Sequence, residues 1–223
     1  MSTFLVIAGG PSVKMLDLEL ASKFRTIAVN DSWEIAPWAE ECFAGDHRWW
    51  QWNGARVLRE FAGELSSGKG IKEAPDHRVT KYQVTATEAD LWLYSHVFGP
   101  DSGTKAISRA YHRGAKTILL AGFDLAAGPG GETHHHNNHK VKTDAVDWVK
   151  WGSVQKRQYE LLAEKGVKIF RVTEPGLECI PYRPLETFYE GKPSIRAAGP
   201  EQDCEHPRDT VLRGAGLRQL RPH

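Results

Sequence analysis

Short apolar runs alternate with amphipathic stretches along most of the chain. The first run, Thr3 to Ala8, is mostly apolar and partly β-branched, and a glycine-rich turn ends it. A run without polar alternation is typical of a strand that is buried on both faces of a parallel sheet. Shorter apolar runs and one alternating run predict five further strands, at residues 26–29, 41–44, 78–85, 117–122 and 167–172.

The stretches between these strands carry the spacing of helices. Apolar positions recur with helical spacing in residues 16–24, 47–62, 104–112 and 148–165. Gly114 and Gly166 follow the last two stretches, as glycines at helix ends do. Residues 63–76 have no clear period and are predicted to be a loop. The alternation predicts an α/β protein, a single Rossmann-like domain with a mostly parallel central sheet flanked by helices.

The end of the chain has a different composition. After Lys192 the sequence is rich in proline, glycine and arginine, and its periodicity is weak. We therefore expect the domain to span residues 1–192 and residues 193–223 to form a partly disordered extension. A length of 223 residues suits one domain with such a tail.

Composition excludes several classes of protein. The 29 basic and 28 acidic residues give a net charge of +1, which argues against binding nucleic acid through bulk charge. No apolar run approaches the ~20 residues of a membrane helix, and the N-terminus lacks the features of a signal peptide. Three distant cysteines without a CxxC motif argue against a disulfide framework or a cysteine zinc site. These features predict a cytoplasmic protein.

Polar residues follow the predicted strands where each of them ends. In an open α/β sheet, ligands bind beyond the carboxyl ends of the strands, so these residues are candidates for one binding site. They are Gly9, Gly10, Pro11 and Ser12 after the first strand, Asn30 and Asp31 after the second, Asp46 after the third, and Asp124 before the histidine-rich loop. Ser102 and Gly103 open a predicted helix and join this set.

Two of these segments suit phosphate. Glycines in the turn after the first strand would let N–H groups approach a phosphate, and the helix that begins near Ser102 could hold an anion at its N-terminus. A tight turn and a simple helix cap by Ser102 are the structural alternatives. Because neither GxGxxG nor a Walker A motif is present, the sequence supports neither a dinucleotide oxidoreductase nor a P-loop NTPase.

A loop holds four histidines within six residues. His134, His136 and His139 have an HxHxxH spacing that could bind zinc, similar to the HxHxDH motif of metallo-β-lactamase hydrolases but with Asn138 in place of the aspartate. Alternatively, a histidine of the loop is a general base, or the loop is only a solvated polar segment. These alternatives remain open at the level of sequence.

Tryptophans cluster in two places. Trp49, Trp50 and Trp52 cannot share one helical face, so at least one should face a cleft or solvent. Trp148 and Trp151 form an i, i+3 pair, which we expect in the core.

Several motifs in order resemble one family. The run from Val6 to Ser12, with a second strand that ends at Asn30, resembles the bacterial sialyltransferases of glycosyltransferase family 42. The resemblance continues at Ser102-Gly103, at residues 114–124 and at residues 159–172, and spans roughly residues 4–190. The same outline is similar to the MptE-like pterin pyrophosphokinases and, most closely, to uncharacterised phage and prophage proteins.

The resemblance implies a nucleotide-binding, transferase-like domain. It implies that Gly10, Ser12, Asn30 and Ser102-Gly103 line a pocket for a nucleotide-activated donor, a CMP-sugar or another nucleotide. His139, or a neighbour such as His136, would take the place of the family's general base. The chain departs from the family at Asp46, where the sialyltransferases have an asparagine, and the tyrosine pair that holds the donor phosphate has no clear match.

The predicted function is therefore a glycosyltransferase-like transferase in which a histidine base and Asp46 act on a small nucleotide donor. One alternative is an Mg²⁺-dependent pyrophosphokinase with Asp46 and Asp124 at the metal. The others are metal-dependent hydrolysis at the histidine cluster and a non-catalytic or metal-binding protein that keeps the fold. The acceptor and the state of oligomerisation remain open, and a homo-oligomer is compatible with the sequence.

Overall fold

One parallel sheet organises the molecule. The computed structural model describes residues 2–75, 77–136 and 145–189. Its strands are β1 (Thr3–Ile7), β2 (Arg25–Val29), β3 (Glu41–Phe43), β4 (Glu64–Gly68), β5 (Val79–Thr85), β6 (His96–Phe98), β7 (Thr117–Ala121) and β8 (Lys168–Arg171). Their order is β6-β5-β4-β3-β2-β1-β7-β8, and each neighbouring pair is parallel. The predicted α/β class and parallel sheet are confirmed.

Helices connect the strands. They are α1 (Leu18–Ala21), α2 (His47–Glu60), α3 (Ser102–His112) and α4 (Ala145–Glu164), with short 3-10 helices at Pro11–Met15, Asn30–Glu34, Glu88–Trp92 and Leu185–Phe188. The helix predicted at 16–24 is reduced to the single turn of α1. Asp17 begins this turn, since its side chain accepts a hydrogen bond from the Leu20 amide at 3.0 Å.

β1 lies between two hydrophobic cores, one on each face of the sheet. Leu5 and Ile7 point to one face of the sheet, and Phe4 and Val6 point to the other, all of them fully buried. The first face packs against tryptophans of α2, and the second packs against apolar residues of α3 and α4. Both faces are covered, which explains the continuous apolar run in the sequence.

Two strands were not predicted, and β4 shows why. β4 lies within residues 63–76. The sequence predicts a loop there, because the strand contains two serines and a glycine instead of an apolar run. Both serines are buried and hydrogen-bonded: Ser66 Oγ donates to Glu41 Oε1 at 2.6 Å, and Ser67 Oγ donates to the Ala44 carbonyl at 2.7 Å. A strand that buries satisfied polar groups has no hydrophobic signature.

Three further expectations concern the C-terminal extension, membrane-spanning helices and the cysteines. The extension predicted at residues 193–223 lies outside the described residues, so the domain division stays a prediction. None of the helices in the described part of the chain is long and apolar enough to cross a membrane. The cysteine pattern argues against disulfides, yet Cys179 is disulfide-bonded, while Cys42 is a buried free thiol.

Candidate functional site

The direction of the chain across the sheet reverses between β1 and β7. Strands β2 to β6 follow β1 on one side, whereas β7 and β8 lie on the other. At such a reversal of strand order, ligands bind in a crevice beyond the carboxyl ends of the strands. A cleft of about 480 Å³ lies there, bounded also by the first turns of α2, α3 and α4.

Most of the residues predicted from sequence line this cleft. They are Gly9, Gly10, Asn30, Asp31, Asp46, Ser102, Gly103, Asp124, His134 and His136. Pro11 and Ser12 are buried behind the cleft and are not part of its lining. His139 lies outside the described residues. The structure therefore brings these segments together, while the roles assigned to the residues stay predictions.

The turn after β1 is held to the loop after β7. The Gly10 amide donates to the Gly122 carbonyl at 2.9 Å, and the Ser12 amide donates to Asp124 Oδ2 at 2.7 Å. Ser12 Oγ also donates to Asp124, and it lies 2.8 Å from Thr173 Oγ1. The N–H groups of Gly10 and Ser12, which the sequence predicts as phosphate donors, are thus engaged within the protein.

The glycine at position 10 serves the contact between these two loops. A Cβ at this position would lie 2.6 Å from Asp124 Cγ and 2.6 Å from the Gly122 carbonyl oxygen, well inside van der Waals contact. Burial raises the pKa of Asp124, against the hydrogen bonds from Ser12, which lower it. Asp124 therefore lines the cleft, and Ser12 holds its carboxylate from behind.

The end of β2 places two polar residues side by side. Asn30 has a left-handed backbone with a φ of 52°, which asparagine tolerates better than most residues. Its Oδ1 is buried and has no hydrogen-bond partner among the described residues. Asp31 is 3% exposed, and its Oδ2 accepts from the Trp49 indole N–H at 3.1 Å. Oδ2 also lies 3.4 Å from His136 Nε2.

The histidines of the loop face different ways. The rings of His134 and His136 line the cleft, with centroids 5.5 Å apart. His135 anchors the loop: its amide donates to the Gly9 carbonyl at 2.8 Å, and its Nε2 lies 3.3 Å from Ser32 Oγ. Burial, together with repulsion from His136 and Lys14, lowers the pKa of His135 to about 4.

The described residues do not form a metal site. Within residues 2–75, 77–136 and 145–189, no three histidine, cysteine, aspartate or glutamate side chains are arranged to hold one ion. The predicted zinc site depends on His139, which lies outside these ranges. The carboxylates predicted for Mg²⁺ are engaged elsewhere, Asp46 with Arg48 and Asp124 with Ser12. We derive no step through a metal.

Asp46 begins α2. Its Oδ1 accepts from the Arg48 amide at 2.8 Å, and its Oδ2 lies 3.1 Å from Arg48 Nη2. Burial alone would raise the pKa of Asp46, but the hydrogen bonds from Arg48 outweigh burial and the pKa is lowered. Asp46 is thus an ionised helix cap at the rim of the cleft.

The start of α3 differs from its sequence-based interpretation. Asp101, rather than Ser102, caps the helix, because its Oδ1 accepts from the Thr104 amide at 2.9 Å. Ser102 Oγ accepts instead from the Gly45 amide at 3.0 Å, which joins α3 to the end of β3. Lys105, one turn further on, also lines the cleft and was not identified from sequence. Its position three residues after Ser102 was the available signal.

Aromatic side chains line part of the cleft. Trp52 lines it, as does Trp49, so the expectation that one residue of this cluster faces a cleft is confirmed. Trp148 and Trp151 were expected in the core, and that prediction is wrong: both are half-buried and line the cleft. Both residues lie in the first two turns of α4, and this part of the helix borders the cleft.

Comparisons with known proteins agree with the fold. No family model and no curated protein sequence matches the chain. The monofunctional α-2,3-sialyltransferase Cst-I from Campylobacter jejuni is similar in structure, with a TM-score of 0.52 and 10% identity over 95% of this chain and 88% of that chain. The sialyltransferase CST-II, solved with a trisaccharide acceptor and CMP, has a TM-score of 0.51 and 12% identity over 82% of this chain and 86% of that chain.

These two likenesses concern the fold, since the identities are low. They agree with the motif-based resemblance to the bacterial sialyltransferases. The similarity to the MptE-like pyrophosphokinases and to phage proteins stays a prediction. The chain has the parallel α/β fold of these sialyltransferases, with its cleft at the switch point of the sheet.

Proposed function

We propose that the chain is a glycosyltransferase-like transferase that binds a nucleotide-activated donor in this cleft. The observation that carries the proposal is that an imidazole–carboxylate pair, His136 and Asp31, faces the same cleft as the N-terminus of α3. An imidazole beside a carboxylate is a typical general base that removes the proton of a hydroxyl group. The N-terminus of a helix is a typical binding position for a phosphate. Their common cleft lies where open α/β sheets bind ligands.

The nature of the donor is inferred from the relatives. CST-II was solved with CMP and a trisaccharide acceptor, and its fold matches this chain. A CMP-sugar is therefore the first donor to test, and other nucleotides follow because the chain lacks a clear match to the family's tyrosine pair. The nucleobase would lie against the wall formed by Trp148 and Trp151, since aromatic faces stack on bases.

The reaction requires one proton transfer. His136 accepts the proton of the acceptor hydroxyl, the acceptor oxygen bonds to the donor carbon, and the bond from that carbon to the phosphate oxygen breaks. Asp31 is the positioning residue, because its carboxylate orients the imidazole and stabilises it once protonated. A general base of this kind contributes about 10²- to 10⁴-fold to the rate. His139 is the second candidate for the same role.

The test combines binding and turnover. Calorimetry with CMP, UMP, ATP and GTP, with and without Mg²⁺, should detect binding of at least one nucleotide. In a donor-hydrolysis assay, His136→Ala and His139→Ala should separate the two candidate bases, with the exposed His77→Ala as a control. The proposal fails if no nucleotide binds. Turnover that strictly requires Mg²⁺ would favour the pyrophosphokinase alternative.

A further inference from the structure

A lysine side chain is buried at the cleft, and no carboxylate of the described residues forms an ion pair with it. Lys105 is 6% exposed, and its Nζ donates a hydrogen bond to the Pro100 carbonyl at 3.1 Å. Among the described residues, no carboxylate lies within ion-pairing distance of this ammonium group. Burying a charge without a partner is costly, so lysines are almost never buried unless something pairs with them.

The two carboxylates whose charges act on Lys105 are hydrogen-bonded to other groups. Asp101 accepts hydrogen bonds from the amide and the hydroxyl of Thr104, each at 2.9 Å. Asp46 is paired with Arg48. Both carboxylates favour the charged form of Lys105 from a longer distance, but burial outweighs them and lowers the pKa of the lysine. Within residues 2–75, 77–136 and 145–189, the ammonium group therefore has a carbonyl as its hydrogen-bond partner but no paired carboxylate.

The surroundings of this group suit an anion. Lys105 Nζ and Ser102 Oγ each lie 3.2 Å from the point that a Cβ on Gly45 would occupy. The ammonium group and the hydroxyl group therefore both lie close to Gly45, at the cleft and beside the N-terminus of the 11-residue helix α3. Positive charge, a hydroxyl and the positive end of a helix dipole meet there.

We propose that Lys105 binds the phosphate group of the donor and stabilises the charge that develops on it during transfer. This inference rests on the proposed function. When the bond from the donor carbon to the phosphate oxygen breaks, its electron pair stays on that oxygen, while the acceptor proton moves to His136. Lys105 stabilises the resulting negative charge without itself giving up a proton.

The decisive comparison uses Lys105→Met, with Lys116→Met as the matched control. Lys116 is exposed at the start of β7, at the opposite end of the sheet. Calorimetry with inorganic phosphate and pyrophosphate should show binding to the wild-type protein and to the control. Loss of hydrogen bonds to a charged group weakens binding by about 10- to 100-fold, and we expect a decrease of that size for Lys105→Met.

Stability provides a second readout. Without anions, Lys105→Met should unfold at a higher temperature than the wild-type protein, because the uncompensated buried charge is gone. With pyrophosphate present, the wild-type protein should gain thermal stability and the variant should not. Lys105→Gln serves as a second variant if the methionine protein does not fold.

The outcomes separate the two proposals. If pyrophosphate fails to bind the wild-type protein, or binds Lys105→Met equally well, the assignment of Lys105 is overturned even if the donor is turned over. If pyrophosphate binding depends on Lys105 but no nucleotide donor binds or reacts, the anion site stands and the proposed function falls.

Discussion

His136 Nε2 lies 3.4 Å from Asp31 Oδ2, and the same carboxylate oxygen accepts the Trp49 indole N–H at 3.1 Å. Asp31 is therefore held from one side by α2 and faces the histidine loop on the other. The carboxylate is almost completely buried, so its contact with the imidazole is little screened by water. This relationship joins two segments that are more than a hundred residues apart in the chain.

Asp31→Asn should lower kcat by about 10²-fold, because the amide cannot stabilise a protonated imidazole. The KM for the donor should change much less than kcat. Steady-state kinetics across a pH series would also show an altered pH profile, which a merely structural role would not produce. Trp49→Phe keeps the carboxylate and removes only the indole donor, so its loss of kcat should be smaller. If the Asp31→Asn variant keeps the wild-type kcat, the pair of His136 and Asp31 has no part in the reaction.

Trp151→Ala should raise the Kd for a bound nucleotide about tenfold, since stacking of a base on an aromatic ring contributes ~1–3 kcal/mol. Nucleotide binding should quench the tryptophan fluorescence of the wild-type protein, and Trp148→Phe and Trp151→Phe should each reduce that quenching. Trp92, half-buried against Tyr111 and outside the cleft, provides the control variant Trp92→Phe. Equal quenching in all three phenylalanine variants would contradict a nucleotide at this wall.

Gly10→Ala should destabilise the fold by about 1–3 kcal/mol, because the added methyl group would overlap Asp124 and the Gly122 carbonyl. Urea unfolding monitored by circular dichroism measures the change. Gly54→Ala is the matched control: it lies inside α2, where a Cβ meets Trp50 at an ordinary 3.5 Å. That variant should be about 0.5–1 kcal/mol more stable than the wild-type protein. Equal stability of the two variants would show that the loops after β1 and β7 separate at little cost.

Acid should destabilise the protein through His135. Its pKa is about 4 in the folded protein, below the ordinary 6.5, so the unfolded chain binds more protons between these two values. The stability conferred by the neutral ring is complete above about pH 6.5 and is lost as the pH falls through 4. The shift corresponds to about 3 kcal/mol, reduced to about 2 kcal/mol because the ring is partly exposed.

The test compares urea unfolding of the wild-type protein and His135→Gln at pH 7, 5.5 and 4.5. Glutamine can keep a hydrogen bond to Ser32 but does not titrate, so the variant should lose about 2 kcal/mol less over this range. Parallel loss of stability in the two proteins would show that other groups govern the acid transition.

The parallel sheet and the location of the cleft follow from local sequence patterns. Apolar runs such as Thr3–Ile7 predict buried parallel strands, and the carboxyl ends of parallel strands lie at one edge of a sheet. That is why Asn30, Asp46 and Asp124 could be predicted to meet around one cavity. Hydrophobic periodicity is a property of residues that are close in sequence, so it predicts strands and helices before the tertiary structure is known.

Other features depend on contacts between distant segments. Glu41 is completely buried, and its carboxylate accepts hydrogen bonds from Arg109 at 2.9 Å and 3.2 Å. Nothing in the sequence around either residue indicates this ion pair, and the same is true of Lys105 in the cleft. Burial of a charge is favourable only where the folded chain supplies its partner, or where a ligand does. The sequence alone therefore determined six of the eight described strands and the polar ends that they carry. The tertiary structure decided which of those polar groups are already paired within the protein and which face the cleft.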